Sequence, residues 1–429
     1  MTIGLQKLDL AKTRRISMPE HRPRSMADVG VPESLLEDIS LKALYLSGPF
    51  TVLDLAEEIR LGFEVAEQIV GRLRTKLLCE VAGMVGNVPR IAISSHGRSR
   101  ALELLAQNQY SGSVPVPLES YVAQVRRQAV RGLDVGPAEV ERAFAHLVFD
   151  DELLSQFGMA LNSGAAVFLY GPPGVGKTAV AETLSRVLAE DKVWIPYAVE
   201  AGGQIITVYD PVIHGPVEAP LSSDYDRRWA RCSRPTVIVG GELTADMLDL
   251  QFNPVSKYYE GPAQMKANNG VLIIDDFGRQ RIAPEDLLNR WVVPLDRKIE
   301  FLSLIGGRKI EIPFELLVVF ATNKDPGSIL EPAFMRRIQT KIRIGPASDE
   351  QFCEIFRRVA AEHGCSVEQE VLDELMNIIR DKLGQELRSC YPRDLVDQIR
   401  WKARYEGRAL TLDRVSLMRA VKTYFLQGG

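Results

Sequence analysis

No long hydrophobic run occurs in this sequence. None of its stretches approaches the ~18 to 20 consecutive apolar residues that a membrane-spanning helix needs, and residues 1–15 lack the apolar centre of a secretory signal. These absences argue against membrane insertion and predict a cytoplasmic location.

Cysteine is also scarce, and it is scattered. The five cysteines form no Cys-x-x-Cys pair and have no histidine at metal-binding spacing. This pattern argues against a metal site and predicts reduced, mostly packed thiols at Cys79, Cys232, Cys353, Cys365 and Cys390.

Neither sign of charge dominates the chain. The 52 basic and 56 acidic residues leave a net charge of -4, so there is no chain-wide basic surface for nucleic acid, and any DNA contact would have to be local. A hydrophobic content of 46% is typical of a soluble globular protein, and the length of 429 residues predicts two or three domains.

The first 109 residues contain two segments. Residues 1–28 carry six basic residues among few apolar ones, which predicts a mobile arm. Residues 29–109 read as helices, one of them opened by a capping box at Thr51 and Asp54, followed by a Gly-rich hairpin and a closing helix.

This second segment resembles a winged helix-turn-helix domain. The resemblance implies a second helix that either enters the DNA major groove or docks a protein. That helix carries the basic residues Arg72, Arg74 and Lys76. The two alternatives stay open at this point.

A change of pattern follows. Residues 110–135 begin with Pro, Gly and Ser, which predicts a linker. Beyond it, strand-like and helix-like segments alternate, which is typical of an α/β fold with a parallel sheet.

A phosphate-binding loop lies near the start of that region. The apolar run 167–170 leads into a Gly-rich loop and then into a helical pattern, and this is the full context of a P-loop. Backbone N–H groups of such a loop surround phosphate oxygens, its lysine reaches the β- and γ-phosphates, and its threonine hydroxyl coordinates Mg²⁺. The predicted ATP-binding residues are Gly171, Pro172, Pro173, Gly174, Val175, Gly176, Lys177, Thr178 and Ala179.

Two adjacent carboxylates end a second buried strand, 271–274. Because the carboxyl ends of parallel strands meet at one sheet edge, we expect Asp275 to hold Mg²⁺ together with Thr178. Asp276 would then orient the attacking water, or alternatively cap a helix or form a salt bridge.

With these motifs placed, residues 136 to 429 resemble the AAA+ ATPases, and in particular MoxR-like members. The resemblance implies a P-loop α/β domain at 136–345 and a helical lid at 346–429. It also implies that Asn323 contacts the water or the γ-phosphate, that Arg336 or Arg337 is an arginine finger for a neighbouring subunit, and that Arg393 contacts the nucleotide from the lid.

The sequence departs from that family in two ways. Asp276 stands where the family usually has glutamate, which predicts slower hydrolysis. A long insertion between the P-loop helix and the Asp-Asp strand includes a predicted hairpin around Gly202 and Gly203. In a ring, its residues Phe252, Lys257, Tyr258 and Tyr259 would grip a substrate, although the two tyrosines could instead pack at the start of a helix predicted over 258–267.

The chain is therefore expected to be a Mg²⁺-dependent ATPase. It would act as a ring-type homo-oligomer, expected to be a hexamer, that remodels a protein or DNA recruited by the winged-helix domain. The alternative is a nucleotide-controlled binding module with little or no turnover.

Overall fold

The N-terminal part is a small helical unit with a three-stranded sheet. The computed structural model describes Pro19 and residues 22–86, 88–218, 224–329 and 331–425. Most of the predicted mobile arm lies outside these ranges, but Met26 and Val29 are buried in the core of this unit. The elements are α1 Glu33–Ser47, β1 Phe50–Thr51, α2 Val52–Ile59, α3 Phe63–Thr75, β2 Cys79–Val85, β3 Val88–Ile93 and α4 Ser95–Gln107.

The start of α2 has the predicted capping box. The Thr51 hydroxyl accepts a hydrogen bond from the Asp54 amide at 3.2 Å, and the Asp54 carboxylate accepts one from the Thr51 amide at 2.9 Å. The three strands form an antiparallel sheet in the order β1-β3-β2, so β2 is an edge strand.

The predicted linker is not a free connection. It contains β4 Val116–Pro117 and α5 Leu118–Arg127. Tyr110 and Val114 are buried in the N-terminal core. The Pro, Gly and Ser content suggested a linker. The apolar residues of this segment instead pack against the N-terminal unit on one side and against the insertion on the other.

The ATPase-like region and the lid follow. The first comprises α6 Pro137–Phe144, α7 Asp151–Ser163, β5 Val167–Tyr170, α8 Lys177–Ala189, β6 Lys192–Pro196, β7 Ala198–Ala201, β8 Gln204–Thr207, β9 Trp229–Ser233, β10 Thr236–Val239, β11 Gln251–Phe252, β12 Tyr259–Glu260, α9 Ala263–Lys266, β13 Val271–Ile274, α10 Pro284–Arg290, α11 Val292–Arg297, β14 Ile299–Ser303, β15 Lys309–Pro313, β16 Leu317–Thr322, α12 Pro332–Arg337 and β17 Thr340–Arg343. The lid comprises α13 Asp349–Glu362, α14 Gln369–Asn377, a π-helical turn Ile378–Lys382, α15 Tyr391–Tyr405 and α16 Arg414–Tyr424.

A parallel five-stranded sheet organises the ATPase-like region. Its order is β10-β13-β16-β5-β17, and every neighbouring pair is parallel. β13 and β16 are buried along their whole length, as their uninterrupted apolar sequences predict. The fold is thus of the α/β P-loop class, and the loops after β5, β13 and β16 meet at one edge.

The long insertion builds a second sheet, β11-β12-β8-β7-β4. The predicted turn is confirmed, since Gly202 and Gly203 join β7 to β8 with φ of +62° and +82°. Sequence analysis did not distinguish β6 from β7. β6 pairs with β9 in a separate two-stranded sheet.

The insertion contacts the N-terminal unit through two of the four predicted gripping residues, Tyr258 and Lys257. Tyr259 is buried, and its hydroxyl accepts a hydrogen bond from the Ile305 amide at 2.7 Å. Tyr258 packs edge-on against Tyr110 with ring centres 5.5 Å apart. The helix predicted over 258–267 is shorter, because residues 259–260 pair as a strand.

Phe252 and Lys257, the other two residues predicted to grip a substrate, also make contacts within the chain. The ring of Phe252 packs against Tyr259, with centres 5.1 Å apart. The Lys257 ammonium donates to the Ala106 carbonyl at the end of α4, and the Asn108 side-chain amide donates to the Lys257 carbonyl at 3.0 Å. These contacts support the alternative in which the two tyrosines pack, whereas substrate gripping by the four residues in a ring stays a prediction.

Arg228 forms a second contact between the N-terminal unit and the insertion. Asp226 and Arg228 form a buried ion pair at 2.7 Å. The Arg228 guanidinium also donates to the carbonyls of Val29 at 2.9 Å and Pro115 at 3.1 Å.

A buried polar cluster lies beside the β14–β15 hairpin. Glu300 on β14 is 3% exposed, and one of its oxygens lies 3.4 Å from the Arg290 guanidinium. Its other oxygen has no hydrogen-bond partner among the described residues. Burial raises the pKa of Glu300 to about 7, with the positive charge of Arg290 opposing the shift.

All five cysteines are free thiols, and Cys79, Cys232 and Cys353 are buried. No helix within the described ranges is both long enough and apolar enough to cross a lipid bilayer.

Candidate functional site

The P-loop connects β5 to α8 and depends on close backbone approaches. A Cβ atom on Gly171, at φ +148°, would lie 2.0 Å from the Ile344 carbonyl oxygen. A Cβ atom on Gly174, at φ +78°, would lie 2.6 Å from the Cys390 sulfur of the lid. Glycine is thus required at both positions, and the loop lies directly against the lid.

The Lys177 ammonium is held inside this loop. It donates hydrogen bonds to the carbonyls of Gly171 at 3.0 Å and Pro172 at 2.7 Å, and to the Asn323 side-chain oxygen at 2.6 Å. Burial lowers the pKa of Lys177, while the negative charges of Asp276 and Asp275 oppose that shift. The loop lysine and Asn323 thus meet at the sheet edge.

The two predicted carboxylates lie at the same edge. The Thr178 hydroxyl donates to Asp275 at 2.9 Å. The Asn323 side-chain amide donates to Asp276 at 3.0 Å. The Asp276 backbone amide donates to Asp275 at 2.9 Å, so one hydrogen-bonded chain links the P-loop, the end of β13 and the end of β16.

Asp276 has an unusual backbone conformation. Its φ is +48°, in the left-handed region that most L residues avoid and that aspartate and asparagine tolerate. This conformation gives a local physical reason for aspartate at position 276. A longer side chain at this position would carry a conformational cost that aspartate largely escapes.

The donor set fits Mg²⁺. This ion prefers oxygen ligands and is commonly held by one or two carboxylates together with substrate phosphates. The Thr178 hydroxyl and the Asp275 carboxylate supply such oxygens side by side. Across the described parts of the chain, no cluster of three or more His, Cys, Asp or Glu side chains could hold a metal ion by itself.

A cavity of about 510 Å³ opens over these residues and reaches the lid. Its polar side is formed by the P-loop, the two aspartates and Asn323. Its apolar side includes Leu147, Val148, Phe149, Ile355 and Val359. Sequence analysis missed this side, because residues 147–149 follow no helical or strand period and approach α13 only in the folded chain.

The three predicted arginines differ in their surroundings. Arg393 lines the cavity from the start of α15. Arg336 and Arg337 do not line it. Arg337 forms an ion pair with Asp296 at 3.0 Å, whereas Arg336 is exposed and forms no ion pair or hydrogen bond among the described residues.

The basic residues near the end of α3 are largely neutralised. Arg72 pairs with Glu33 and Glu37 at 2.7 Å each, and Lys76 also pairs with Glu37. Arg74 is the exposed cation of the three that forms no ion pair with another described residue.

Comparisons with known proteins give the following similarities. A family profile described as "Domain of unknown function (DUF8689)" matches residues 348–423, which span most of the lid. No curated protein matches the sequence.

Two solved structures illustrate the structural similarities. The RuvB Holliday junction branch migration motor of Thermotoga maritima is 15% identical, with 64% of this chain and 70% of that chain covered and a TM-score of 0.37. NtrX from Brucella abortus, solved in complex with ADP, is 12% identical, with 78% of this chain and 67% of that chain covered and a TM-score of 0.41.

Proposed function

We propose that this chain is an AAA+ ATPase that binds ATP with Mg²⁺ between the P-loop and the lid and hydrolyses it. The observation that carries the proposal is the hydrogen-bonded chain Thr178–Asp275 and Lys177–Asn323–Asp276 beneath one cavity. The P-loop and Arg393 would bind the phosphates, and the apolar side of the cavity would receive the base.

The carboxylates and Asn323 have separate roles in this proposal. Bound Mg²⁺ would supply charge neutralisation at the phosphates, held by Thr178 and Asp275. Asp276 would accept a hydrogen bond from the attacking water and polarise it, and Asn323 would hold the Asp276 carboxylate in position.

In this proposal ATP is hydrolysed within an oligomer. Arg336 of one subunit would complete the ATP site of the neighbouring subunit. Arg336 is exposed and unpaired in the described structure, whereas Arg337 is already bound to Asp296. In this proposal the oligomer is a hexameric ring in the cytoplasm that remodels a macromolecule bound by the N-terminal unit, whose element order supports a winged-helix domain.

The test is steady-state phosphate release by the full chain with ATP and Mg²⁺, together with nucleotide titrations. Lys177→Ala should abolish ATP binding, because it removes the buried cation of the loop. Asp275→Asn should retain much of the nucleotide affinity and lose Mg²⁺-dependent turnover. ATP binding without any phosphate release by the wild-type chain would instead support a nucleotide-controlled binding module.

A further inference from the structure

The outer side of α15 presents two large aromatic side chains to solvent. Trp401 is 56% exposed and Tyr405 is 92% exposed. The opposite side of the same helix buries Leu395 and Ile399 in the lid core. Residues four positions apart share a helix face, so Trp401 and Tyr405 form one stripe. The lid core is complete without these two rings.

A groove runs along this stripe, between α15 and α16. A cavity of about 320 Å³ is lined by Trp401, Tyr405, Arg408 and Arg419 among others. A second cavity of about 360 Å³ shares Arg408, Ser416 and Arg419 with the first. The two cavities therefore form one continuous surface feature, which we call the lid groove.

The charge of this region is opposite to that of the chain as a whole. Residues 398–424 contain seven basic and two acidic residues, a net charge of +5, whereas the whole chain carries -4. The basic residues are Arg400, Lys402, Arg404, Arg408, Arg414, Arg419 and Lys422.

Three cations of the groove are available to a polyanion, whereas Arg414 is paired with Glu374. Lys402 and Arg408 share one exposed partner, Glu406, at 3.7 and 2.6 Å. Exposed pairs of this kind are weak and exchange readily for another anion. The Arg419 guanidinium forms no ion pair or hydrogen bond with any described residue.

We propose that the lid groove binds single-stranded nucleic acid, with bases stacking on Trp401 and Tyr405 and phosphates contacting Arg408 and Arg419. Exposed aromatic rings beside a basic groove are the combination that such strands require, since every base has a face that can stack. The two rings are four residues apart, about 6 Å along the helix axis. Charge alone would suit an acidic peptide equally well, but an acidic peptide gives no reason for two solvent-facing rings.

The proposal goes beyond ATP hydrolysis and does not depend on it. The experiment measures fluorescence anisotropy of a labelled oligothymidylate of about 20 nucleotides with the full chain, without nucleotide, between about 50 and 200 mM salt. The variants are Trp401→Ala, Tyr405→Ala and Arg419→Glu. Arg297→Glu, at an exposed cation at the end of α11 outside both proposed binding regions, is the matched control.

The expected results separate stacking from charge. Each aromatic variant should weaken binding by about 5- to 100-fold. Arg419→Glu should weaken it and reduce the log–log salt slope by about 0.7, the value of one lost phosphate contact on a single strand. Arg297→Glu should bind as the wild type does, and all variants should keep the wild-type rate of phosphate release.

Three results would overturn the proposal. The first is no binding at the lowest salt, or a loss with Arg297→Glu that matches the loss with Arg419→Glu. The second is competition by polyglutamate with equal affinity and no effect of the aromatic variants, which would indicate an acidic protein partner. The third is a change in oligomeric state in the Trp401 and Tyr405 variants with unchanged oligonucleotide binding, which would make this face a contact between copies of the chain.

Discussion

Substitutions at Asp276 can separate its charge from its backbone conformation. Asparagine tolerates the φ of +48° and keeps an oxygen that can accept the 3.0 Å hydrogen bond from Asn323. Asp276→Asn should therefore leave ATP affinity and melting temperature unchanged. Phosphate release should fall by about 100- to 10,000-fold, because the water loses its polarising carboxylate.

Asp276→Glu keeps the charge and changes the geometry. The left-handed region costs an ordinary L residue about 1 to 2 kcal/mol, and aspartate avoids much of that cost, so the variant should be less stable by about 1 kcal/mol. A carboxylate displaced by about 1 Å should also slow hydrolysis by about 100-fold. We thus expect glutamate to be slower than the natural aspartate, which reverses the expectation from the sequence because the φ of Asp276 favours aspartate.

The assays are steady-state phosphate release and thermal unfolding of both variants, with Asp286→Asn on α10 as an exposed control of the same chemistry. Phosphate release by Asp276→Asn at the wild-type rate would refute the proposed role of the carboxylate. A glutamate variant that is faster than the wild type and equally stable would refute the conformational reasoning.

Three further predictions use other parts of the molecule. Arg336→Ala should reduce phosphate release by about 1,000-fold or more while ATP still binds, whereas Arg337→Ala should mainly lower stability; equal loss of turnover in both would contradict this assignment. The pKa of Glu300 is about 7 in the folded chain and 4.5 in the unfolded chain. The contribution of Glu300 to the free energy of unfolding is therefore complete below pH 4.5 and declines by up to about 3 kcal/mol as the pH rises to 7. Glu300→Gln should flatten that decline in chemical denaturation measured at several pH values, and an unchanged slope would remove Glu300 as its cause. Gly174→Ala should weaken ATP binding in nucleotide titrations, since its Cβ atom would displace Cys390 and the lid, and unaltered affinity would show that this contact is dispensable.

The parts of the site that sequence analysis could predict are local in the chain. The P-loop lies between its own strand and helix, and Asp275 follows four buried residues, so position along the chain already indicates position in the sheet. The two arginines of α12 look alike in sequence. They differ in the structure because Asp296, on α11, lies beside only one of them.

Pairing between strands that lie far apart in the chain explains why the sequence did not predict β4. Residues 116–117 looked like part of a linker, yet their partner strand β7 is about eighty positions later and no local pattern reveals it. The β14–β15 hairpin did carry a local signal that we overlooked, since Gly306 and Gly307 stand between two alternating apolar segments.

The attachment of the N-terminal unit has a mechanical consequence. Lys257 and Asn108 join the end of α4 to the insertion on one side, and buried Arg228 joins Val29 and Pro115 on the other. Two separate anchor points resist both bending and rotation. Under the proposed function, a macromolecule bound by this unit would therefore move together with the ATPase-like region, and force would reach it without the slack of a flexible tether.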